Sequence, residues 1–419
     1  MTVDEAVKIV SEGDPSKIGR IEGQFALVGR EGTTVRMVRT IGRLMRYFIA
    51  KRAAGPVLVV SDRIDRIRDW LVTEGLADQF HPSYTRMVPA HHLVEIRLIG
   101  CPDPNPTYTR FFTPVRDALP TDLETIGRQY VGAVYDEIVR WLRRLPADAP
   151  IGVCFSGGID SGSVFLLVYH AIRSLGMNPA RLKAFTLAVD GRGADVGQAR
   201  AFLETLDLEL FLETIDVAKT DIDLAETIRV VEDYKPLDIQ AAAMLLALCK
   251  GIRERYPDWR YLLDGDGGDE NLKDYPIEEN PELTIRSVLN NPLLYQEGWG
   301  VEAIKHSLTY SGGQSRGYAR TYAPTIAVGF EALSPYVAPS VIRVAESIPF
   351  IALTEWDEER LYALKGDVVS RGVRHVTGME MPVFEKRRFQ RGVLADGSFD
   401  EVFPQEPRAY REIYDAVFA

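Results

Sequence analysis

Along residues 24–98 apolar side chains either alternate with polar ones or gather in short runs, at 25–28, 35–38, 47–50, 56–61 and 92–98. Alternation sends successive side chains to opposite faces of an extended chain, so these segments read as β-strands. Between the last two, residues 63–71 place apolar positions at helical spacing. Together they predict an α+β piece. From 100 to 113 the chain holds Pro102, Pro104 and Pro106 beside Asn105; proline has no N–H to give a helix or a central strand, so the stretch reads as a linker. The boundary this implies gives a first domain over 1–112 and a second over 113–419.

The second domain opens on a helix over 123–145, with Ile126, Val131, Val134, Ile138 and Leu142 on one face. Strands and helices then alternate: a buried strand at 151–155, a helix at 162–174 ending before Gly176, a strand at 184–189, a helix at 194–206, a strand at 209–215, a long apolar helix at 239–252 and a strand at 261–263. This series predicts an α/β fold, a mostly parallel, doubly wound sheet with helices on both faces. Everything after Glu270 reads as helical. Ligands of such sheets sit beyond the carboxyl ends of the strands, so the loops at 156–161 and 264–270 should face one another across a crevice.

At 419 residues the chain exceeds the roughly 250–300 at which single cores stop growing, which fits two domains. The opening MTVDEAVKIVSEGD carries acidic residues where a signal peptide needs a basic segment, and no apolar run approaches the roughly eighteen residues of a membrane span. A cytoplasmic protein with no membrane partner is expected. Cys101, Cys154 and Cys249 show no CxxC spacing, and the six histidines form no metal-ligand pattern, with His91 and His92 expected on opposite faces of a strand. The net charge of −11 argues against a nucleic-acid partner. A small-molecule or peptide substrate fits better, and self-association is left open.

Two loops carry the chemistry. Ser156, Gly157, Gly158, Ile159, Asp160 and Ser161 lie between a hydrophobic strand and a helix start. Glycines let a backbone approach an anion, the amides that open a helix are unpaired, and two serines add hydroxyl donors, so the loop is shaped for phosphate oxygens. An ordinary turn with Ser161 as helix cap is the plainer alternative; five defined positions in a strand-to-helix context outweigh it. No Gly-Lys-Ser/Thr follows, so this is not a Walker A loop. The second loop runs Asp264, Gly265, Asp266, Gly267, Gly268, Asp269 and Glu270 after the strand at 261–263. Carboxylates clustered opposite a phosphate loop repel one another unless a cation lies between them. By itself such a stretch could equally be an acidic, solvated turn.

The first loop resembles the SGGxDS signature of the PP-loop ATP pyrophosphatases, which cradles the pyrophosphate of ATP with Mg²⁺ on its Asp. The second resembles the SGEGSDE loop of the asparagine synthetase group, which includes β-lactam synthetases and lasso-peptide cyclases. The resemblance implies ATP and Mg²⁺ as cofactors, with Asp160 and Asp269 as metal ligands, and Cys154, Ser156, Gly157, Gly158, Asp160, Ser161, Leu187, Asp264 and Gly265 around the nucleotide. Cys154 and Leu187 would contribute backbone only, and a thiol inside a parallel strand is otherwise packing. Asp266 stands where asparagine synthetases have Glu and β-lactam synthetases Tyr, as the acid/base group beside the acyl centre. Asp264 replaces the family's Ser that contacts AMP. Near the C-terminus, Lys386, Phe389, Gly392 and Val393 match the family's K-x-x-F-x-x-G-V loop, whose Lys neutralises charge developing at the acyl carbon and pyrophosphate. Ala332-Leu333-Ser334-Pro335-Tyr336 is similar to the R-x-P-F-L-D stretch without its acidic residue.

Residues 21–27, IEGQFAL, resemble the L-D-G-x-F-A segment in the middle of class II glutamine amidotransferase domains. The first half of such a domain is missing, and Thr2 stands where the nucleophilic cysteine would be. The resemblance therefore implies an adenylating amide ligase that releases AMP and pyrophosphate and joins a small-molecule or peptide carboxylate to an amine or ammonia, without glutamine hydrolysis. Intramolecular lactam or macrolactam formation is the second reading, sulfur transfer a third that the acidic balance and missing paired cysteines weaken, and a non-catalytic relative the last.

Overall fold

The computed structural model describes residues 1–100, 105–274, 277, 284–291, 293, 318–384 and 399–418. Its N-terminal part holds two antiparallel sheets. The strands are β1 (Ala26–Glu31), β2 (Thr34–Arg39), β3 (Arg46–Arg52), β4 (Gly55–Ser61), β5 (Arg86–Met87), β6 (His92–Arg97) and β7 (Thr107–Arg110). One sheet runs β1-β2-β6-β7 and the other β4-β3-β5. The five expected strands and the helix near 63–71, observed as Ile64–Thr73, are present.

The linker reading needs correction, because β7 lies inside it and pairs with β6, His92 opposite Arg110. Thr107, Tyr108 and Thr109 are β-prone residues, and prolines just ahead of an edge strand cost no ladder hydrogen bond. His91 is also not in a strand. It sits at φ +61°, and only His92 begins β6.

The second sheet region is all parallel. It comprises β8 (Ile151–Cys154), β9 (Leu182–Val189), β10 (Leu212–Val217), β11 (Tyr261–Leu263) and β12 (Glu331–Leu333), in the order β10-β9-β8-β11-β12. The strand order therefore reverses between β8 and β11, and a crevice opens at the carboxyl ends of neighbouring strands whose connections leave in opposite directions. β12 corrects the expectation that all after Glu270 is helical. Three residues are too few to show an alternation. They are recruited by the edge of β11, Leu263 opposite Leu333.

A single large core joins this sheet to the helices Leu123–Leu142, Ile159–Ser174 and Glu358–Thr377, through Ile126, Val131, Val134, Phe165, Leu167, Leu361, Val368 and Val373. The last of these helices packs closely along the first, where a Cβ on Gly127 would fall 2.6 Å from the Val368 carbonyl oxygen. The helices Val3–Glu12, Pro15–Ile18 and Leu224–Val231 had no counterpart in the sequence reading, and the last ends at Glu232 in the left-handed conformation. Glu232 is fully buried and pairs with Arg46 of β3, Nε to Oε2 at 2.8 Å, with Arg63 at 3.3 Å, and with the Ile64 N–H, which donates to Oε1 over 2.7 Å. The C-terminal helix Pro407–Phe418 covers the same seam, with Tyr410, Tyr414 and Phe418 against Ile64, Ile228 and Val231. Among the described residues no helix is long and apolar enough to cross a membrane.

Candidate active site

The first loop leaves β8 and turns sharply at Gly157, whose φ is +75° and whose position would put a Cβ 2.8 Å from the Ala199 amide nitrogen. Only glycine meets both conditions. The helix starts at Ile159, three residues earlier than the apolar spacing suggested, with Gly158 as N-cap and so no side chain to cap the first-turn amides. Ser156 and Ser161 fold the loop inward. The Ser156 N–H donates to Ser161 Oγ over 3.2 Å, the two hydroxyls lie 3.1 Å apart, and the Gly158 N–H donates to Ser156 Oγ over 3.3 Å. Two hydroxyls and the uncapped helix-opening amides are thus gathered in one short loop, an arrangement that suits phosphate oxygens.

The two loops touch. A Cβ on Gly265 would fall 2.6 Å from the Ser161 amide nitrogen and 2.7 Å from the Asp160 carbonyl carbon, and one on Gly268 would overlap the Asp160 carboxylate. The missing side chains are what bring Asp160 and Asp269 to the same place. Asp264 is turned inward instead: Ser334, just past β12, donates its hydroxyl to Asp264 Oδ2 over 2.7 Å, and the Asp266 N–H donates to Oδ1 over 3.0 Å. Burial, then the neighbouring Asp266, push the Asp264 carboxyl well above the ordinary range. Its carboxyl ties the ends of β11 and β12 together. Asp266 is partly buried and accepts from the Thr321 hydroxyl. Burial lifts it to about 7; Thr321 and Arg320 oppose the shift, while Glu270 and Asp269 add to it.

Sequence reasoning missed Lys365. This residue of the helix Glu358–Thr377 is 3% exposed, and its Nζ lies 2.6 Å from Asp160 Oδ2, in contact with Asp269, and 3.4 Å from Asp274 Oδ2. Burial works against its charge, yet the three carboxylates outweigh it and hold the ammonium well above the usual lysine range. The signal was a lysine among the core-facing Leu361, Leu364, Val368 and Val369. A helix that buries a cation there must have anions to meet it.

The same geometry tests the fit of Mg²⁺. Asp160 and Asp269 converge on one cationic atom, so their oxygens can share a second cation, but among the described residues no group of three or more His, Cys, Asp or Glu could hold a metal unaided. Mg²⁺ is commonly bound by one or two carboxylates completed with phosphate oxygens and water, and this pair fits that pattern.

Cys154 pairs with Phe185 in the sheet and Leu187 with Ile215, both as strand residues with backbone near the carboxyl ends. Leu187 is buried in the apolar cluster with Cys249, against which Cys154 packs, and burial pushes the Cys154 thiol far up. Lys386 lies outside the described residues. Thr2 caps the helix Val3–Glu12, its N–H donating to Glu5 Oε2 over 2.7 Å and its hydroxyl accepting from the Glu5 N–H at 3.3 Å.

Residues 136–320 match the family model described as asparagine synthase. Among curated proteins, a probable glutamine-hydrolyzing asparagine synthetase of Acanthamoeba polyphaga mimivirus is 33% identical over 131 residues, 30% of this chain and 22% of that protein. The amidase chry2 of Gibberella zeae (strain ATCC MYA-4620 / CBS 123657 / FGSC 9075 / NRRL 31084 / PH-1) is 28% identical over 218 residues, 49% of this chain and 31% of its own. The chain thus spans less than a third of the length of either relative. Both site loops and Thr321's neighbour Arg320 fall within the matched stretch, Lys365 beyond it. Over residues 136–320 the chain is thus similar to asparagine synthases.

Proposed function

We propose that the protein is an ATP-dependent, AMP-forming amide ligase. One observation carries the reading: a hydroxyl- and amide-lined loop and an acidic loop meet backbone to backbone at the strand-order reversal, with Asp160 and Asp269 converging there. In this reading the β- and γ-phosphates of ATP rest on Ser156, Ser161 and the amides of 157–161, and Lys365 balances the negative charge. Bound Mg²⁺, held by Asp160 and Asp269, supplies positive charge to the phosphate oxygens. A substrate carboxylate attacks the α-phosphorus; a C–O–P bond forms and pyrophosphate leaves. The amine then attacks the acyl carbon, Asp266 receives its proton, and AMP departs. Lys386 would stabilise charge at the acyl carbon.

Exchange of labelled pyrophosphate into ATP, screened over a panel of carboxylic acids, tests the reading and identifies the acid without knowledge of the amine. AMP and pyrophosphate are the expected products. Formation of ADP and phosphate would sink it.

Ammonium or an amine, and not glutamine, should serve as nitrogen donor, since Thr2 is engaged at both its N–H and hydroxyl in helix capping. Release of glutamate from glutamine by the purified protein would overturn this.

Acyl transfer should also depend on pH. Asp266 accepts a proton only when ionised, and with its carboxyl lifted to about 7 the neutral form dominates below that pH. The expected kcat/KM for the amine therefore falls on the acid side of about 7, by up to tenfold per pH unit. Asp266→Asn should remove that limb along with most of the turnover; an unchanged limb in the variant assigns it to another group. The same raised value has a cost in stability. Its contribution is fully present below the unfolded value near 3.8 and is lost as pH rises through about 7.

A further inference from the structure

Thr321 belongs to a single π-helical turn, Tyr318–Tyr322, immediately before the helix Ala323–Ala327. Such turns are rare and are frequent at functional sites. Thr321 is buried, and its hydroxyl donates to Asp266 Oδ2. The residues on either side pin the turn. Arg320 Nε donates to Asp238 Oδ1 over 3.0 Å, which fixes it to the first turn of the helix Pro236–Arg255. On the other side, the Arg43 guanidinium lies 4.8 Å from the centre of the Tyr322 ring, and Ala323 is buried against Leu44 and Met87. Arg43 and Leu44 lead into β3 and Met87 ends β5, so the N-terminal sheets hold one side of the turn that presents Thr321 to the site.

We infer that Thr321 is a positioning residue for Asp266, and that the N-terminal sheets act on the acyl-transfer step by holding its turn. This rests on the ligase reading above. A general base must lie within about 2.6–3.2 Å of the proton it takes, and a short carboxylate able to rotate about its own bonds would meet that condition only part of the time. A donor on a β-branched side chain, itself restricted at χ1, fixes one carboxylate oxygen and leaves the other for the amine. Asp264, Asp269 and Glu270 repel the same carboxylate and Arg320 attracts it, so without the hydroxyl its orientation follows the balance of those charges.

Thr321→Val keeps the shape and removes the donor; Thr321→Ser restores the donor. The two half-reactions separate the effect, since pyrophosphate exchange precedes the step that uses Asp266 and transfer to ammonium or hydroxylamine includes it. Thr321→Val should keep exchange and the KM for ATP within roughly threefold of the parent while kcat for amide or hydroxamate formation falls roughly 10–100-fold, a fraction of what a general base contributes. Thr321→Ser should recover most of it. Parental transfer in the Val variant, equal losses in both half-reactions, or a Ser variant as poor as Val would each overturn the inference. If the parent exchanges pyrophosphate with no acid, it is the ligase reading that fails. Crystal structures of parent and Thr321→Val then decide the positioning role, a reoriented Asp266 carboxyl supporting it and an unmoved one rejecting it.

Discussion

Replacing either Asp160 or Asp269 with Asn should lower pyrophosphate exchange by roughly 10²–10³, the loss typical for one preorganised electrostatic group, while the fold persists. The substitution keeps volume and hydrogen-bonding shape and deletes one charge. Each residue sits in the first turn of a helix, Ile159–Ser174 or Gly268–Leu272, with its side chain 21% and 31% exposed respectively, so a lost charge there is partly compensated by water. Lys365 keeps two of its three carboxylates in either variant, so its charge stays balanced. Asp274→Asn is the informative control. It removes the most distant carboxylate, at 3.4 Å, and should disturb exchange least. Normal exchange in both loop variants, or the largest loss at Asp274, would reject the assignment of the metal-binding pair.

Lys386→Ala should abolish amide product while nucleotide affinity stays within a few fold of the parent. In the proposed chemistry Lys386 acts when the acyl carbon carries an oxyanion beside the departing AMP, and binding of ATP rests on the first loop, Lys365 and the carboxylates. A transition-state contact removed in this way lowers turnover by roughly 10²–10³ with little change in ground-state binding. Arg387→Ala and Arg388→Ala are the controls, since the K-x-x-F-x-x-G-V spacing gives them no role. Near-parental turnover in Lys386→Ala would mean that the match to the K-x-x-F-x-x-G-V loop is wrong and that the cation acting at the acyl carbon lies elsewhere.

The two loops were legible because their chemistry is local. Glycines, hydroxyls and carboxylates between a buried strand and a helix start are visible in a few residues, and the alternation of strands and helices then places both loops at one end of a parallel sheet. Lys365 was not legible in that way. Its partners lie 205 and 96 residues away in the chain, and only the packing of one long helix against another brings them together. Asp264 shows the converse. Its place in the loop suggested a nucleotide contact, whereas the hydroxyl of Ser334, seventy positions away, turns its carboxyl inward. The strands β7 and β12 were missed for an energetic reason, since short edge strands are stabilised by the neighbour they pair with more than by their own sequence. The helix Leu224–Val231 was signalled by Asp223, whose carboxylate accepts from the Glu226 N–H, but eight residues give an amphipathic pattern little length in which to appear.

The buried junction of Arg46, Arg63 and Glu232 bears on how this protein can be dissected. A truncated version beginning at 113 would open the seam at Glu232 to water, whereas a substitute domain that buried Glu232 again without a cation would cost about 3–5 kcal/mol, a large part of a typical domain's stability. The same seam would lose Ile64 from beneath Tyr410 and Tyr414. Grafting a working glutaminase in place of residues 1–112 therefore requires transplanting the arginine pair and its apolar neighbours with it; a chimera joined at the proline-rich stretch alone would leave Glu232 uncompensated and the seam unfilled.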